Sequence, residues 1–140
     1  MIEVDLHRFP LLASLDDEEL EAVAALLEAR ELAADQALWR EGDEAEGLVL
    51  LEHGAFRFES RRFGALGRCE APTCLGAASL VEAGPREASA YAAAPSRALL
   101  LSRTAFARLL EEAPSAAARV LAALAGELAA LMRAGLPFVA

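Results

Sequence analysis

Apolar positions near the start of the chain recur at helical spacing. Leu20, Val23, Ala24 and Leu27 form one stripe, the three- and four-residue recurrence of an amphipathic helix, and predict a helix over 15–29. Asp16 is placed to cap it with Glu19 three residues on, and Leu15 and Leu20 take the positions of a hydrophobic staple. Asp17 and Glu18 add negative charge where the helix dipole favours it. Ahead of them, Leu6, Phe9, Leu11 and Leu12 suggest a short helical turn on the same core, and Glu21 and Glu28 read as a solvated outer face.

After Glu28 the period changes to alternation. Segments 29–34, 37–41, 47–52, 55–61 and 65–70 read as short strands, with Ala55-Phe56-Arg57-Phe58-Glu59 alternating cleanly. Gly42-Asp43, His53-Gly54 and Phe63-Gly64 separate them at a spacing of roughly 10 residues, that of a sandwich or barrel. Leu48, Val49, Leu50 and Leu51 run together, which predicts a strand covered on both faces. From Cys74 to Ala94 the chain reads as a glycine-started short helix, a Gly84-Pro85 turn carrying Arg86, and a small-residue strand.

Helical spacing returns near the end. Thr104, or Ser102 just before it, can cap a helix running to about Glu112 with Phe106, Leu109 and Leu110 inward, and Pro114 ends it. Ser115 opens a longer helix to about Arg133 in which Ala117, Leu121, Leu124, Leu128 and Leu131 make a heptad-like seam. Val120, Ala125, Ala129 and Met132 widen that apolar stripe, and Gly126 marks a candidate crossing point. The seam can pack back on the strands or join a second copy in a parallel helix pair.

Composition narrows the function. At 140 residues, 56% hydrophobic, the chain fits one folded domain. A formal charge of −9 argues against a nucleic-acid surface, which needs excess cations. Every cationic side chain is Arg, and Lys and Asn are absent, a composition bias rather than a functional signal. Cys69 and Cys74 miss the spacing of a zinc site and make no disulfide framework. The start, M-I-E-V-D-L, lacks a secretory signal, and Arg119, Gly126, Glu127 and Arg133 interrupt the Ala/Leu-rich segment. The expectations are therefore no metal, no membrane segment and a cytoplasmic location. His7 and His53 lie far apart without a nucleophile partner, and G-A-A-S-L lacks the second glycine of a nucleophile elbow, so no catalytic residue is assigned.

L-W-R-E-G-D-E-A-E-G-L-V-L-L-E-H-G-A-F-R-F, residues 38–58, resembles the opening of the cyclic-nucleotide-binding domain family. The likeness continues through Leu75-Gly76, Leu80, Pro85-Arg86 and Ala88 into L-L-L-S-R-T-A-F-A-R-L-L, residues 99–110. It implies a mainly β domain with flanking helices, a jelly-roll-like β-roll of about eight strands. N-terminal helices would occupy 1–29, the roll 30–102 with its phosphate-cassette-like segment at 75–89, and two C-terminal helices 103–135. The resemblance also implies a cyclic nucleotide as ligand and a last helix that closes over it or carries a homodimer. In transcription factors of this family a helix-turn-helix follows that helix; these 140 residues hold none after it, and the expectation is a stand-alone module without DNA binding.

The candidate ligand contacts are Gly76, Ala77, Ala78, Ser79, Arg86, Glu87, Ala88 and Ser89. A cyclic phosphate is held by backbone N–H groups and a forked arginine, which Gly76 and Arg86 would supply; alternatively, Gly76 makes a turn and Arg86 lies on the surface. Two departures weigh against ordinary binding. Where the family places a glutamate for the ribose 2′-hydroxyl stands Ala77, and losing such an acceptor forfeits about 1.5–3 kcal/mol. Glu87 follows Arg86 and can pair with it or repel a phosphate; a loop length differing by one residue would put Glu87 in the arginine's place. Two readings follow: a module with a degenerate pocket that dimerises or binds a protein partner, requiring no cofactor, and a sensor of a cyclic nucleotide or another anion through Gly76 and Arg86.

Overall fold

The structure, a computed structural model, describes residues 5–135. Two short 3-10 turns, Leu6–Arg8 and Pro10–Leu12, precede helix α1 (Asp17–Ala24). Strands β1 (Glu28–Leu32), β2 (Ala37–Trp39), β3 (Gly47–His53), β4 (Ala55–Ser60), β5 (Gly64–Glu70), β6 (Thr73–Leu75), β7 (Ser89–Ala92) and β8 (Ser96–Ser102) follow, then helices α2 (Arg103–Glu112) and α3 (Pro114–Gly135). The strands form two four-stranded antiparallel sheets, ordered β1-β8-β3-β6 and β2-β7-β4-β5. This is the β-roll with flanking helices that the sequence predicts.

The sequence explains the layering. Leu48 and Leu50 of β3 join Phe9, Leu11, Leu12, Val23, Phe106, Leu109 and Val120 in a core beneath the helices, while Val49 and Leu51 join Phe56, Ala92 and Leu100 in a second core between the sheets. The continuous apolar run is thus a strand buried on both faces. Each fully buried leucine contributes roughly 1.5–3 kcal/mol, so β3 is the most heavily anchored segment of the roll.

Several boundaries move. Helix α1 ends at Ala24 rather than 29, because the backbone of Glu28 is already paired opposite Leu100 in the β1–β8 ladder. Leu27 still packs on the core, from the turn. Strand β6, three residues beside β3, has no alternating pattern in the sequence. Ser102, not Thr104, caps α2, its hydroxyl accepting from Ala105 N at 3.0 Å. Leu110 is exposed: Phe106 and Leu109 fill the inward face, and Leu110 lies about 100° further round. Helix α3 begins at Pro114, where a missing N–H costs nothing.

Helix α3 is also long and apolar enough, by length and composition, to cross a membrane, with a mean hydropathy of 1.5; its interrupting charges do not prevent that, contrary to the sequence expectation. Its first two turns, however, bury Ala116, Ala117 and Val120 in the core beneath the helices.

The N-terminal cap is tied to α3 by one carboxylate. Glu19 N donates to Asp16 Oδ1 at 2.8 Å and Asp16 N donates to Glu19 Oε1 at 3.0 Å, while Glu19 Oε2 lies 3.3 Å from Arg119 Nε. Hydrogen bonds from the Asp16 backbone and from Ser115 hold Glu19 below the ordinary carboxylate range, with the Arg119 charge assisting and burial opposing. A carboxylate depressed in the folded state contributes stability above its unfolded pKa and loses it as pH falls through the folded one. Glu19→Gln is therefore expected to lower stability near neutrality and to flatten its dependence on pH below about 4.3, the unperturbed Glu value. Urea unfolding from pH 7 to pH 3 measures both; parallel curves for variant and parent would refute this coupling.

Candidate anion-binding cassette

Two loops place Arg86. Residues 84–86 run antiparallel to residues 42–45: Ala45 N donates to Gly84 O (2.8 Å), Arg86 N to Asp43 O (2.7 Å) and Gly42 N to Arg86 O (2.8 Å). With its own N–H and C=O both engaged, Arg86 has a fixed backbone and a side chain turned inward. It lies over Trp39, with Cζ 3.6 Å from the ring centroid. Trp39 Nε1 in turn donates to Ala88 O at 2.9 Å.

The guanidinium is poorly matched by protein partners. Nη2 makes one long bond to Gly47 O (3.4 Å), and Nε is buried without a partner. Among the described residues no carboxylate lies within ion-pair distance of it. Burial lowers the Arg86 pKa, while the nearby Glu46 charge opposes the shift. The adjoining cleft, lined by Arg30, Leu38, Trp39, Asp43, Glu44, Glu46, Val49, Arg86 and Leu100, measures about 70 Å³, under half the ~150 Å³ of a cavity that holds benzene.

Gly76 ends β6 in the left-handed region, at φ +70°, and a single 3-10 turn, Ala77–Leu80, follows in place of the helix over 77–82 that the sequence suggests. Leu80 anchors this turn in the core. Arg103 braces it: Nη1 donates to Ser79 O (2.9 Å) and Ala45 O (3.0 Å), and Nη2 lies 3.7 Å from Glu44. One cation at the start of α2 thereby ties the 76–80 turn to the 43–46 loop.

The structure brings Gly76 and Arg86 together, so close that a Cβ on Gly76 would stand 2.5 Å from Arg86 Nη1. Arg86, not Glu87, turns inward; Glu87 is exposed and forms no ion pair among the described residues. Ala77 is half-buried beside Gly76, Ala78 is exposed, and Ser79 is buried, offering its carbonyl to Arg103. Ala88 offers its carbonyl to Trp39, and the Ser89 hydroxyl is taken by Glu41 N at 2.8 Å. The α3 seam divides: Ala117 is core, Leu121 and Leu124 are half-buried, and Leu128 and Leu131 are exposed. Trp39, Arg30, Glu46 and Arg103 were not anticipated. Arg103 carries a signal in retrospect, a cation in the first turn of a helix where the dipole disfavours it.

The sequence profile of the cyclic nucleotide-binding domain matches residues 29–113. The chain belongs to this family, whose members are regulatory domains rather than enzymes. Its fold superposes on the N-terminal domain of a transcriptional regulator from Streptomyces coelicolor with a TM-score of 0.83 and 29% identity, covering 95% of this chain and 96% of that one. A cyclic nucleotide-binding domain from Methylobacillus flagellatus gives 0.77 and 25%, covering 89% and 75%. A cAMP-dependent protein kinase regulatory subunit of Eremothecium gossypii is 30% identical over 105 residues, 75% of this chain. The chain spans only part of the curated relatives it matches, 23% of that subunit and 9% of an NTE family protein of Mycobacterium tuberculosis.

Gly76→Ala tests the closeness of turn and arginine. A left-handed conformation costs a residue bearing a Cβ about 1–2 kcal/mol, and displacing Arg86 adds to that. Gly84→Ala is the control, since a Cβ there meets nothing within 4 Å. Denaturant midpoints should fall for Gly76→Ala and stay near the parent for Gly84→Ala; equal midpoints would show that the turn yields freely.

Proposed function

We propose that this regulatory domain binds cAMP and cGMP weakly or not at all and acts as a dimerising signalling module, set in the cytoplasm. The observation that carries this reading is the chemistry around Arg86. Ala77 offers no acceptor to a ribose hydroxyl, and the cleft beside Arg86 is lined by three carboxylates, Asp43, Glu44 and Glu46, of which Glu46 pairs with Arg30 and Glu44 with Arg103. An entering cyclic phosphate would meet these carboxylates without the bond that orients its sugar.

The dimer reading draws on the far half of α3. Leu128, Leu131 and Met132 are 57%, 71% and 55% exposed, continuous with half-buried Leu121 and Leu124. Such a stripe fits a second copy of the same helix. Ala117 belongs to the domain core, and the proposed interface accordingly runs from Leu121 onward. Gly126 lies within it, with open space about its α-carbon.

A second reading, a sensor for a cyclic nucleotide or another anion, is favoured by the unpartnered Arg86 Nε. A buried donor left unmade costs about 1–3 kcal/mol, which an anion's oxygen would recover.

Calorimetric titration with cAMP, cGMP and a cyclic dinucleotide separates the two. The degenerate reading expects no saturable heat from either mononucleotide, and tight binding of one would overturn it. Ala77→Glu combined with Glu87→Ala is expected to raise cAMP affinity about ten- to hundredfold. Sedimentation addresses the dimer: the parent should associate at micromolar concentration, and Leu128→Glu with Leu131→Glu should not. A parent that stays monomeric at high micromolar concentration removes the dimer from the proposal.

A further inference from the structure

We propose that Trp39 is the positioning residue of Arg86, holding the arginine inside the cleft by a ring stack where an ion pair would otherwise be needed. This deepens the reading of the cassette given above, but its contacts require no ligand.

A half-buried guanidinium needs something to keep it from swinging out to water. Arg86 has one 3.4 Å bond from Nη2 and a buried Nε with no partner. The carboxylates lining its cleft are engaged elsewhere. Glu46 pairs with Arg30 at 3.2 Å, Glu44 lies 3.7 Å from Arg103, and Asp43 Oδ2 accepts from Arg40 N at 2.9 Å. What remains is the indole, 3.6 Å from Arg86 Cζ. Its own position is fixed, since Nε1 donates to Ala88 O and the residue pairs with Ala90 in the β2–β7 ladder. Backbone bonds at residues 84–86 therefore aim the arginine, and the ring keeps it there.

The choice of a ring over a carboxylate has a chemical consequence. A salt bridge would hold the cation and also occupy its N–H donors, so that an anion would have to displace a carboxylate. A ring beneath the guanidinium attracts the charge through its π face and leaves the in-plane N–H groups unspent. Leu38, Val49 and Leu100 line the same cleft and exclude water equally well, but they cannot hold a cation. If Trp39 served only to fill space, another apolar residue would do as well.

Arginine-selective modification by phenylglyoxal, followed by peptide mass mapping on the full chain, reads how firmly Arg86 is held. Trp39→Leu is expected to speed modification of Arg86 about tenfold, whereas Trp39→Phe, which keeps a π face, stays within about threefold of the parent. Arg97, whose Nη1 bonds Glu52 at 2.6 Å, is the internal control and should not change. If Trp39→Leu fails to fold, Arg97 accelerates as well, and Trp39→Met, apolar and more adaptable, takes its place with the same expectation as Leu. An Arg86 rate in a folded Leu or Met variant equal to that of the parent overturns the proposal, as does acceleration by Phe equal to that by Leu. Nucleotide titration of the parent is scored separately: cAMP binding would sink the degenerate-pocket reading and leave the modification result standing.

Discussion

Strand β3 has neither a free edge nor a free face. It is hydrogen-bonded to β8 on one side and β6 on the other, and its side chains alternate between two cores. In a strand with one wet face, polarity sets the register, because a one-residue slip would expose the apolar set. Here Leu48 to Leu51 are apolar on both faces, so polarity cannot choose. The glycines at its ends can. A Cβ on Gly47 would collide with Leu101 O, and one on Gly54 with the Ser96 hydroxyl; only glycine lets β8 lie this close at both positions. A slip in either direction would bring a side chain into that space.

The cassette inherits its precision from this strand. Gly47 O, at the start of β3, is the acceptor that Arg86 Nη2 reaches and lies 3.3 Å from the place of a Gly76 Cβ. The preceding residues meet α2, where Arg103 N donates to Glu46 O at 2.8 Å. Arg103 sits where a helix dipole repels cations, but two carbonyl bonds and Glu44 offset that cost. Turn, loop and helix end therefore share one guanidinium, and none of the three can shift far without breaking a bond to it.

Much of this fold was legible because its signals were local. The Asp16–Glu19 capping box, the two-faced run at 48–51 and the turns at Gly42, Gly54 and Gly64 each follow from a few adjacent residues. What escaped was non-local. Three-residue β6 exists only because β3 offers it an edge, and α1 stops short because β8 claims the next backbone. At the site, Gly76 and Arg86 could be named from order and spacing, and Ala77 from what it lacks. Trp39 could not, because its significance lies in a contact with a residue 47 positions away. The α3 seam reads as uniform in sequence, although the body of the domain covers one end and leaves the other bare.

The placement of Trp39 also determines how this molecule looks to light. It is the chain's single tryptophan, and Tyr91 is the single tyrosine. Both stand on one strand pair, with Tyr91 opposite Ala37 and Trp39 opposite Ala90. Each ring lies under a guanidinium, Arg57 at 4.7 Å and Arg86 at 3.6 Å. Near-ultraviolet dichroism is thus dominated by a few square nanometres of the roll, and the helical layers contribute little to it. Far-ultraviolet dichroism, dominated by α1, α2 and α3, reports the other half of the molecule. The two wavelengths watch separate cores joined through β3 and β8, each of which sends side chains into both, and whether their melting curves coincide measures how tightly those strands couple them.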